Sequence, residues 1–270
     1  MTKKKDNLQT LDEFLKQFGN LNKKMDVRLH ETEELWFRGQ ADGVWELRPT
    51  LYRKPKQLGN TLTIHATECD LFFEFQAKAN ELHNLELSTW ETLQYMRHHG
   101  APVRLLDWTD SLLIALYFAV NDRFLKRTTT GPCIWVLNPY LLNKKSTDVR
   151  DIIDPEMFIE DDVLYAQLAS GEGVEMDNLP VAMYPRQRHP RMKAQKGWFT
   201  MWGSDDRSLD DQLKRFPKIL KRIDIPSNLV SPIREMLRLY GITESHIYPD
   251  CDALAYELKQ RYGYIEYPKY

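Results

Sequence analysis

The chain has few cysteines and no long apolar segment. Its three cysteines, Cys69, Cys133 and Cys251, are scattered over 270 residues, and no C-x-x-C pair occurs. An odd number of distant thiols argues against a disulfide framework or a zinc knuckle and favours a reducing compartment. The longest apolar run, LLIALYFAV at 112–120, is too short to span a bilayer. The start, MTKKKDNLQT, lacks an apolar stretch, so we expect no signal peptide, no membrane partner and a cytoplasmic location.

Common catalytic and metal-binding motifs are also missing. The sequence contains no G-x-S-x-G, no phosphate-binding G-x-x-x-x-G-K-[ST] and no H-E-x-x-H. His98 and His99 are adjacent and have no acidic or histidine partner four residues away, so we expect no metal site. The net charge of −2 does not indicate a nucleic-acid binder as a whole, although local charge still can.

Periodicity and capping residues predict mixed helices and strands. Capping boxes at Thr10–Glu13 and Ser88–Glu91 predict two helix starts. Asp110 is expected to cap a buried helix, and Ser231-Pro232 to start another. Helices are predicted at 11–18, 61–87, 89–98, 111–124, 231–241 and 250–262, and strands at 33–38, 104–109, 133–139, 197–202 and 223–226.

These patterns predict one α+β domain with a small mixed or antiparallel sheet flanked by helices. We divide the chain into an N-terminal helix at 1–30, a main domain at 31–262 and a C-terminal tail at 263–270. The stretch 143–180 is weakly patterned and holds an acidic run at 160–162. We expect it to be a mobile loop or a small insertion.

The first candidate site element is FRGQ, at 37–40. Arg38 ends an apolar strand, and a guanidinium can grip a phosphate or carboxylate with two parallel hydrogen bonds. Gly39 has no Cβ, so another backbone or a ligand can come close. The alternative is a buried Arg38 that only pairs with an internal carboxylate such as Asp107.

The second candidate element is RLLDWT, at 104–109. Strand alternation places Asp107 and Thr109 on the side opposite Arg104 and Trp108. Asp107 and Thr109 would then lie at a sheet edge beside a helix N-terminus, where anions and nucleotides bind. The alternative is that Asp107 only pairs with an arginine while Thr109 or the following aspartate only caps the helix.

The third candidate element is a basic run at 186–196 without a single acid. Its basic residues are Arg186, Arg188, Arg191, Lys193 and Lys196. Such a run can hold the phosphates of a dinucleotide or a nucleic acid. The aromatic residues Trp198, Phe199 and Trp202 lie beside this run in the sequence, and a groove for single-stranded nucleic acid also combines basic and aromatic side chains. Aromatic residues in strands are, however, more often part of the core. The alternative is a solvated basic loop.

Together, FRGQ, HHGAPVRLLDWTDSLLIALYFA at 98–119 and RMKAQKGWF at 191–199 resemble the FRG-domain family, named after its Phe-Arg-Gly triplet. The central family motif reads roughly Gln-His-x-Gly-x-Pro-Thr-Arg-Leu-Leu-Asp-Trp-Thr, followed by an Ala-x-x-Phe-Ala helix. Here Arg97 replaces the Gln, or Gln94 is its displaced counterpart, and Val103 replaces the Thr. The resemblance includes IYPD near the end and covers roughly residues 30–260. The family occurs mainly in bacteria, their phages and mobile elements.

The order of the three elements is similar to the ADP-ribosyltransferase layout. In that superfamily a strand arginine holds the dinucleotide, a Ser-Thr-Ser-like strand leads into a helix, and a Glu- or Gln-x-Glu turn supplies the catalytic carboxylate. Arg38, the 107–109 segment and Gln195-Lys196-Gly197 would stand in these places. The resemblance implies NAD bound by Arg38, Gly39, Gln40, Arg104, Trp108, Thr109, Arg191 and Gln195.

One position departs from that layout. Gly197 stands where the catalytic glutamate is expected, and glycine can neither bond the ribose nor stabilise an oxocarbenium-like centre. Either another acid acts, or the site binds a nucleotide without transfer. The candidate acids are Asp107, Glu172, Glu175 and Asp250. We choose Asp107, acting with Arg38, because neighbouring arginines would keep that carboxylate ionised.

Two functions therefore stay open. The first is an NAD-dependent ADP-ribosyltransferase-like effector, a toxin or antiphage defence protein that modifies a nucleic acid or protein acceptor beside an antitoxin or defence-system partner. The second is a non-enzymatic nucleotide- or nucleic-acid-binding sensor or regulatory module. A magnesium hydrolase using Asp107 and Asp110 has little support, because such acid pairs are common. Both remaining functions predict that Arg38 faces Asp107 and Arg191 across one cleft.

Overall fold

Short apolar and alternating segments form the strands of one sheet. The computed structural model describes residues 10–53, 64–83, 87–121, 130–155, 179–185, 190–203 and 205–264. The strands are β1 (Trp36–Gln40), β2 (Leu105–Thr109), β3 (Cys133–Leu137), β4 (Val181–Met183), β5 (Gly197–Met201) and β6 (Leu220–Asp224). They pair in the order β4-β5-β2-β1-β3-β6, and each neighbouring pair is antiparallel. The predicted α+β fold is confirmed.

Helices cover both faces of this sheet. In the described part of the chain they are α1 (Leu11–Lys16), α2 (Leu21–Lys24), α3 (Ile64–His83), α4 (Thr89–His98), α5 (Leu112–Val120), α6 (Pro139–Thr147), α7 (Pro190–Ala194), α8 (Leu209–Gln212), α9 (Val230–Leu239), α10 (Glu244–Ile247) and α11 (Cys251–Arg261). Both predicted capping boxes are present, at Thr10 and Ser88. No helix of the described ranges has the length and apolar character needed to cross a membrane.

Strand alternation separates the core into two sides. In β3, Trp135 and its alternate neighbours face a tryptophan-rich core that also contains Trp36, Trp108 and Trp202. The intervening residues of β3 face the opposite core, which lies under α5 and α9. Phe14 of α1 is fully buried in that second core, so residue 14 of the N-terminal segment shares a core with β3.

Gly39 is required by the packing of α5 on β1. A Cβ at Gly39 would lie 1.8 Å from the carbonyl oxygen of Ala115 and 2.7 Å from the amide nitrogen of Ala119. No side chain fits at those distances, so the glycine of the Phe-Arg-Gly triplet allows a helix backbone to contact the strand. The expectation of a close backbone approach at this position is confirmed.

β1 and β2 diverge in the middle of the sheet. They share one register pair, Phe37↔Thr109, whereas β1 pairs with β3 from Trp36 to Gln40. The expected location of Asp107 and Thr109 at a sheet edge is wrong, because β2 is an interior strand between β5 and β1. The divergence of the two strands opens a cleft within the sheet instead.

Two predicted helix starts are corrected. Ser111, and not Asp110, is the N-cap of α5, and Asp110 Oδ2 accepts a hydrogen bond from Trp198 Nε1 at 3.1 Å. Helix α9 begins at Val230, before the predicted Ser231-Pro232 start. Proline is tolerated there because amides of the first turn have no partner within the helix.

Part of the weakly patterned stretch 143–180 is ordered helix. Helix α6 reaches Thr147, and Asn143 Nδ2 donates to the carbonyl oxygens of Asp151 and Ala182 at 2.6 Å and 2.8 Å. The short strand β4 was not predicted. The acidic run at 160–162 lies outside the described residues.

Candidate functional site

A cleft of about 500 Å³ opens where β1 and β2 diverge. Its walls come from these two strands, the end of α4, helix α7 and the residues that follow α10. The predicted site residues that line it are Arg38, Gly39, Gln40, Asp107, Trp108, Thr109, Arg191 and Gln195. The structure therefore brings together residues from three distant segments of the chain, as the candidate elements predicted.

Arg38 contacts Asp107 directly. Its Nη1 donates to the Asp107 carbonyl oxygen at 2.6 Å and lies 3.7 Å from the carboxylate Oδ2. Its Nε is buried and has no hydrogen-bond partner among the described residues. Burial lowers the pKa of Arg38 to about 10 and Asp107 opposes that shift, so the guanidinium stays charged at neutral pH. A buried charged donor without a partner is costly and suits an anionic ligand.

Asp107 is held by Arg97 as well. Arg97 Nε donates to Oδ1 at 3.1 Å and to Oδ2 at 2.9 Å, and Nη2 also contacts Oδ2. Burial alone raises the pKa of the Asp107 carboxyl, but Arg97 and then Arg38 lower it more, so it lies below its usual value. The side chain is 40% exposed, so the ionised carboxylate remains accessible from the cleft.

The charged side chains of the cleft are mostly cationic. Four arginines line it, whereas Asp107 is the single carboxylate among the described lining residues. The arginines are Arg38, Arg53, Arg97 and Arg191. Burial lowers the pKa of Arg53, and the positive charge of Arg97 lowers it further. An anion would relieve this repulsion, and the cleft therefore favours an anionic ligand.

Helix α7 brings Arg191, and Gln195 directly after it, to the far wall. The guanidinium of Arg191 lies 4.5 Å from the ring centre of Tyr248, a cation–π contact. Gln195 Nε2 donates to the Ile247 carbonyl oxygen at 3.3 Å. These contacts fix α7 against the end of α10. Arg186 and Arg188 of the basic run lie outside the described residues.

Gln40, Trp108 and Thr109 shape the floor of the cleft. Gln40 Oε1 accepts from Trp135 Nε1 at 2.9 Å, and Trp108 Nε1 donates to a threonine hydroxyl at 2.9 Å. Thr109 Oγ1 accepts from the Ser111 amide at 3.1 Å. The protein thus engages Gln40 Oε1, Trp108 Nε1 and, as an acceptor, Thr109 Oγ1.

Arg104 is not brought to the cleft. It is fully buried, with Nε donating to Glu68 Oε1 at 2.7 Å and Nη1 donating to the Trp202 carbonyl oxygen at 3.1 Å. The ion pair with Glu68 joins α3 to the residue that precedes β2. Arg104 therefore leaves the proposed ligand set and acts in the core.

Sequence reasoning missed several lining residues. Arg97 carried a signal, since it stands at the glutamine position of the family motif, but its partner Asp107 is on another element. Arg53, Trp45 and Tyr248 lie in turns or short segments without periodicity. Within the described residues, no group of three or more His, Cys, Asp and Glu side chains could hold a metal ion.

A second, larger groove of about 880 Å³ lies between α9 and α11. Its charged lining residues are Arg234, Arg238, Arg261, Glu235, Glu244 and Glu257. The three acidic and three basic side chains of this groove balance in charge. Glu244 accepts a hydrogen bond from the Tyr117 hydroxyl, and Glu257 accepts one from the Ser245 hydroxyl. The smaller cleft is therefore the stronger candidate site, because four arginines and a single carboxylate give its described lining an excess of positive charge.

Part of the chain matches a known protein family. Residues 33–127 match the family model described as FRG domain. The matched range includes Arg38, Arg97 and Asp107, and it ends before Arg191 and Gln195. No curated protein and no solved structure matches the chain.

Proposed function

Since the chain carries an FRG domain over residues 33–127, we propose that its cleft binds NAD and supports an ADP-ribosyltransferase-like reaction on a macromolecule. The observation that carries this proposal is the geometry of Arg38. Its guanidinium contacts Asp107 at the divergence of β1 and β2 and keeps a buried Nε–H without a partner among the described residues.

The cleft suits a dinucleotide in size and chemistry. Its volume of about 500 Å³ lies within the usual range of small-molecule pockets. Arg38, Arg97 and Arg191 can neutralise two phosphate charges, and guanidiniums bind phosphate oxygens with paired hydrogen bonds. Phe118 and Tyr248, which pack edge to face at 6.4 Å, add apolar wall for an aromatic ring.

The proposed reaction transfers ADP-ribose from NAD to an acceptor. The bond between ribose C1′ and the nicotinamide nitrogen breaks with its electron pair on nicotinamide, while an acceptor lone pair bonds C1′ and the acceptor proton passes to solvent. Asp107 would stabilise the positive charge that develops on the ribose. Arg38 would hold the phosphates in place, so that binding energy positions the ribose beside the carboxylate.

A second function is favoured by two specific observations. Gly197 starts β5 where the superfamily has its glutamate, and Arg97 already binds both oxygens of Asp107. A carboxylate held in this way is less able to assist bond breaking. The same cleft would then act as a nucleotide sensor that binds without transfer.

The effector role rests on the family resemblance and the cleft chemistry together. We place the protein in the cytoplasm as a toxin or antiphage defence component. A protein or nucleic acid would be the acceptor, and an antitoxin or defence-system protein would be the partner. The exposed basic residues Lys193 and Lys196 beside Arg191 would add attraction for an anionic acceptor.

Nicotinamide release from NAD tests the proposal. The wild type, Asp107→Asn and Asp224→Asn are compared, since Asp224 also pairs with an arginine, Arg222, but lies outside the cleft. The proposal of transfer is supported if the wild type and Asp224→Asn release nicotinamide and Asp107→Asn does not. NAD binding with no release by any variant favours the sensor, and full release by Asp107→Asn contradicts the role of Asp107.

A further inference from the structure

Trp45 projects from the turn that follows β1, at the cleft. It lines the cleft together with Arg38 and Arg53, yet 41% of its surface is exposed. Val44 beside it is 56% exposed. Single exposed apolar residues are common, but a tryptophan with an open face next to arginines is the combination that binds bases and phosphates.

The turn that carries Trp45 is fixed from inside by Asp42. This aspartate is buried, and its Oδ1 accepts from the Val44 amide at 3.2 Å and from the Thr130 amide at 3.1 Å. The Thr130 hydroxyl donates to the same oxygen at 2.6 Å. The Trp45 amide donates to the Asp42 carbonyl oxygen at 3.2 Å. One buried carboxylate therefore closes the turn and ties it to the segment that precedes β3.

Gly43 and Arg222 fix the same turn from the other side. The Gly43 amide donates to the Gly131 carbonyl oxygen at 3.0 Å, and its own carbonyl oxygen accepts from Arg222 Nη1 at 2.6 Å. A Cβ at Gly43 would lie 2.2 Å from Arg222 Nη2. The backbone below Trp45 is thus held before any ligand arrives, which reduces the ordering cost of binding.

We propose that Trp45 is a stacking platform for the base of a free purine nucleotide whose phosphates contact Arg38 and Arg97. The phosphate part of this assignment rests on the proposed function. The base part rests on Trp45, because aromatic faces stack on nucleobases and water is displaced from both rings. Trp45 would make the cleft discriminate nucleotides from simple phosphates.

Calorimetric titration with ADP and with inorganic pyrophosphate tests this assignment. Both ligands offer two linked phosphates, and only ADP carries a base. We expect the wild type to bind ADP about 10-fold more tightly than pyrophosphate, within the range of stacking effects measured by alanine substitution. Trp45→Ala should lose this preference and keep its pyrophosphate affinity, while Trp45→Phe should retain most of it.

Val44→Ala is the matched control, since it removes exposed apolar surface from the same turn and should leave the ADP preference unchanged. Equal binding of ADP and pyrophosphate by the wild type overturns the role of Trp45 and leaves the arginine site intact. If Trp45→Ala retains the ADP preference, the role of Trp45 is likewise overturned and the arginine site is left intact. If neither ADP nor pyrophosphate binds the wild type, the proposed function and the stacking assignment are overturned together. A short oligoadenylate that binds more tightly than ADP overturns the assignment to a free nucleotide.

Discussion

Arg97 holds both carboxylate oxygens of Asp107, with its Nε 3.1 Å from Oδ1 and 2.9 Å from Oδ2. The two residues are ten positions apart and come from the end of α4 and the middle of β2. This ion pair keeps the carboxylate of the cleft ionised. It also limits how far the carboxylate oxygens of Asp107 are available to a ligand.

Replacing Arg97 with Gln should raise the pKa of Asp107, because it removes the main opposite charge and leaves burial and Arg38. In the wild type the folded-state pKa is lowered, so ionised Asp107 stabilises the fold at pH above the unfolded value near 4. That contribution is lost as the pH falls through the folded-state pKa. In Arg97→Gln the loss should occur at higher pH.

Carbon-13 NMR of the Asp107 carboxyl group measures this pKa in both proteins. Arg28→Gln is the control, since Arg28 pairs with an exposed glutamate, Glu31, and neither residue lines the cleft. An unchanged pKa of Asp107 in Arg97→Gln would show that the ion pair is not what keeps the carboxylate charged.

Gly39→Ala should destabilise the fold. The added Cβ would contact the backbone of α5 at 1.8 Å, and neither partner is a flexible side chain that can move away. We expect the free energy of unfolding to fall by about 1–3 kcal/mol, the usual cost of overpacking. Urea denaturation measures it, with Gly203→Ala as the control because its Cβ meets no atom within 4 Å. Equal stability of the two variants would refute the packing explanation.

Arg104→Met should also be strongly destabilising. It leaves Glu68, which is 1% exposed, without its charge partner, and breaking a buried ion pair in this way costs about 3–5 kcal/mol. The double variant Arg104→Met, Glu68→Leu should recover most of that loss. Denaturation curves of the two variants provide the comparison. If the folded double variant no longer binds the nucleotide that the wild type binds, Arg104 belongs to the site after all.

Local sequence signals identified much of the helical structure. The capping boxes at Thr10 and Ser88 define helix starts through side-chain hydrogen bonds that involve residues three apart, so they are readable from the sequence. Asp250 caps α11 in the same way. The three-residue strand β4 is too short to show a period, and Pro232 predicted a start that a preceding 3₁₀ turn, Ser227–Leu229, moves earlier.

The cleft could be predicted only in part. Arg38 and Asp107 were paired because strand position and motif order pointed to one site, and their contact is confirmed by the structure. The sequence did not distinguish Arg104 from the arginines of the cleft, because its buried partner Glu68 lies 36 residues away on α3 and no local pattern links the two. Trp45 was missed because turn geometry, set by long-range bonds to Thr130 and Arg222, has no periodic signal.

Calorimetric titration with NAD tests the central claim most directly. The wild type is compared with Arg38→Ala and with Arg150→Ala, since Arg150 also donates to a backbone carbonyl oxygen at 2.6 Å, that of Asp26, but lies outside the cleft. Folding of each variant is checked by circular dichroism. We predict that Arg38→Ala weakens binding about 10- to 100-fold, as expected for the loss of charged hydrogen bonds, and that Arg150→Ala binds like the wild type. Equal binding by the wild type and Arg38→Ala, or no binding by the wild type at millimolar NAD, would contradict a dinucleotide site at Arg38.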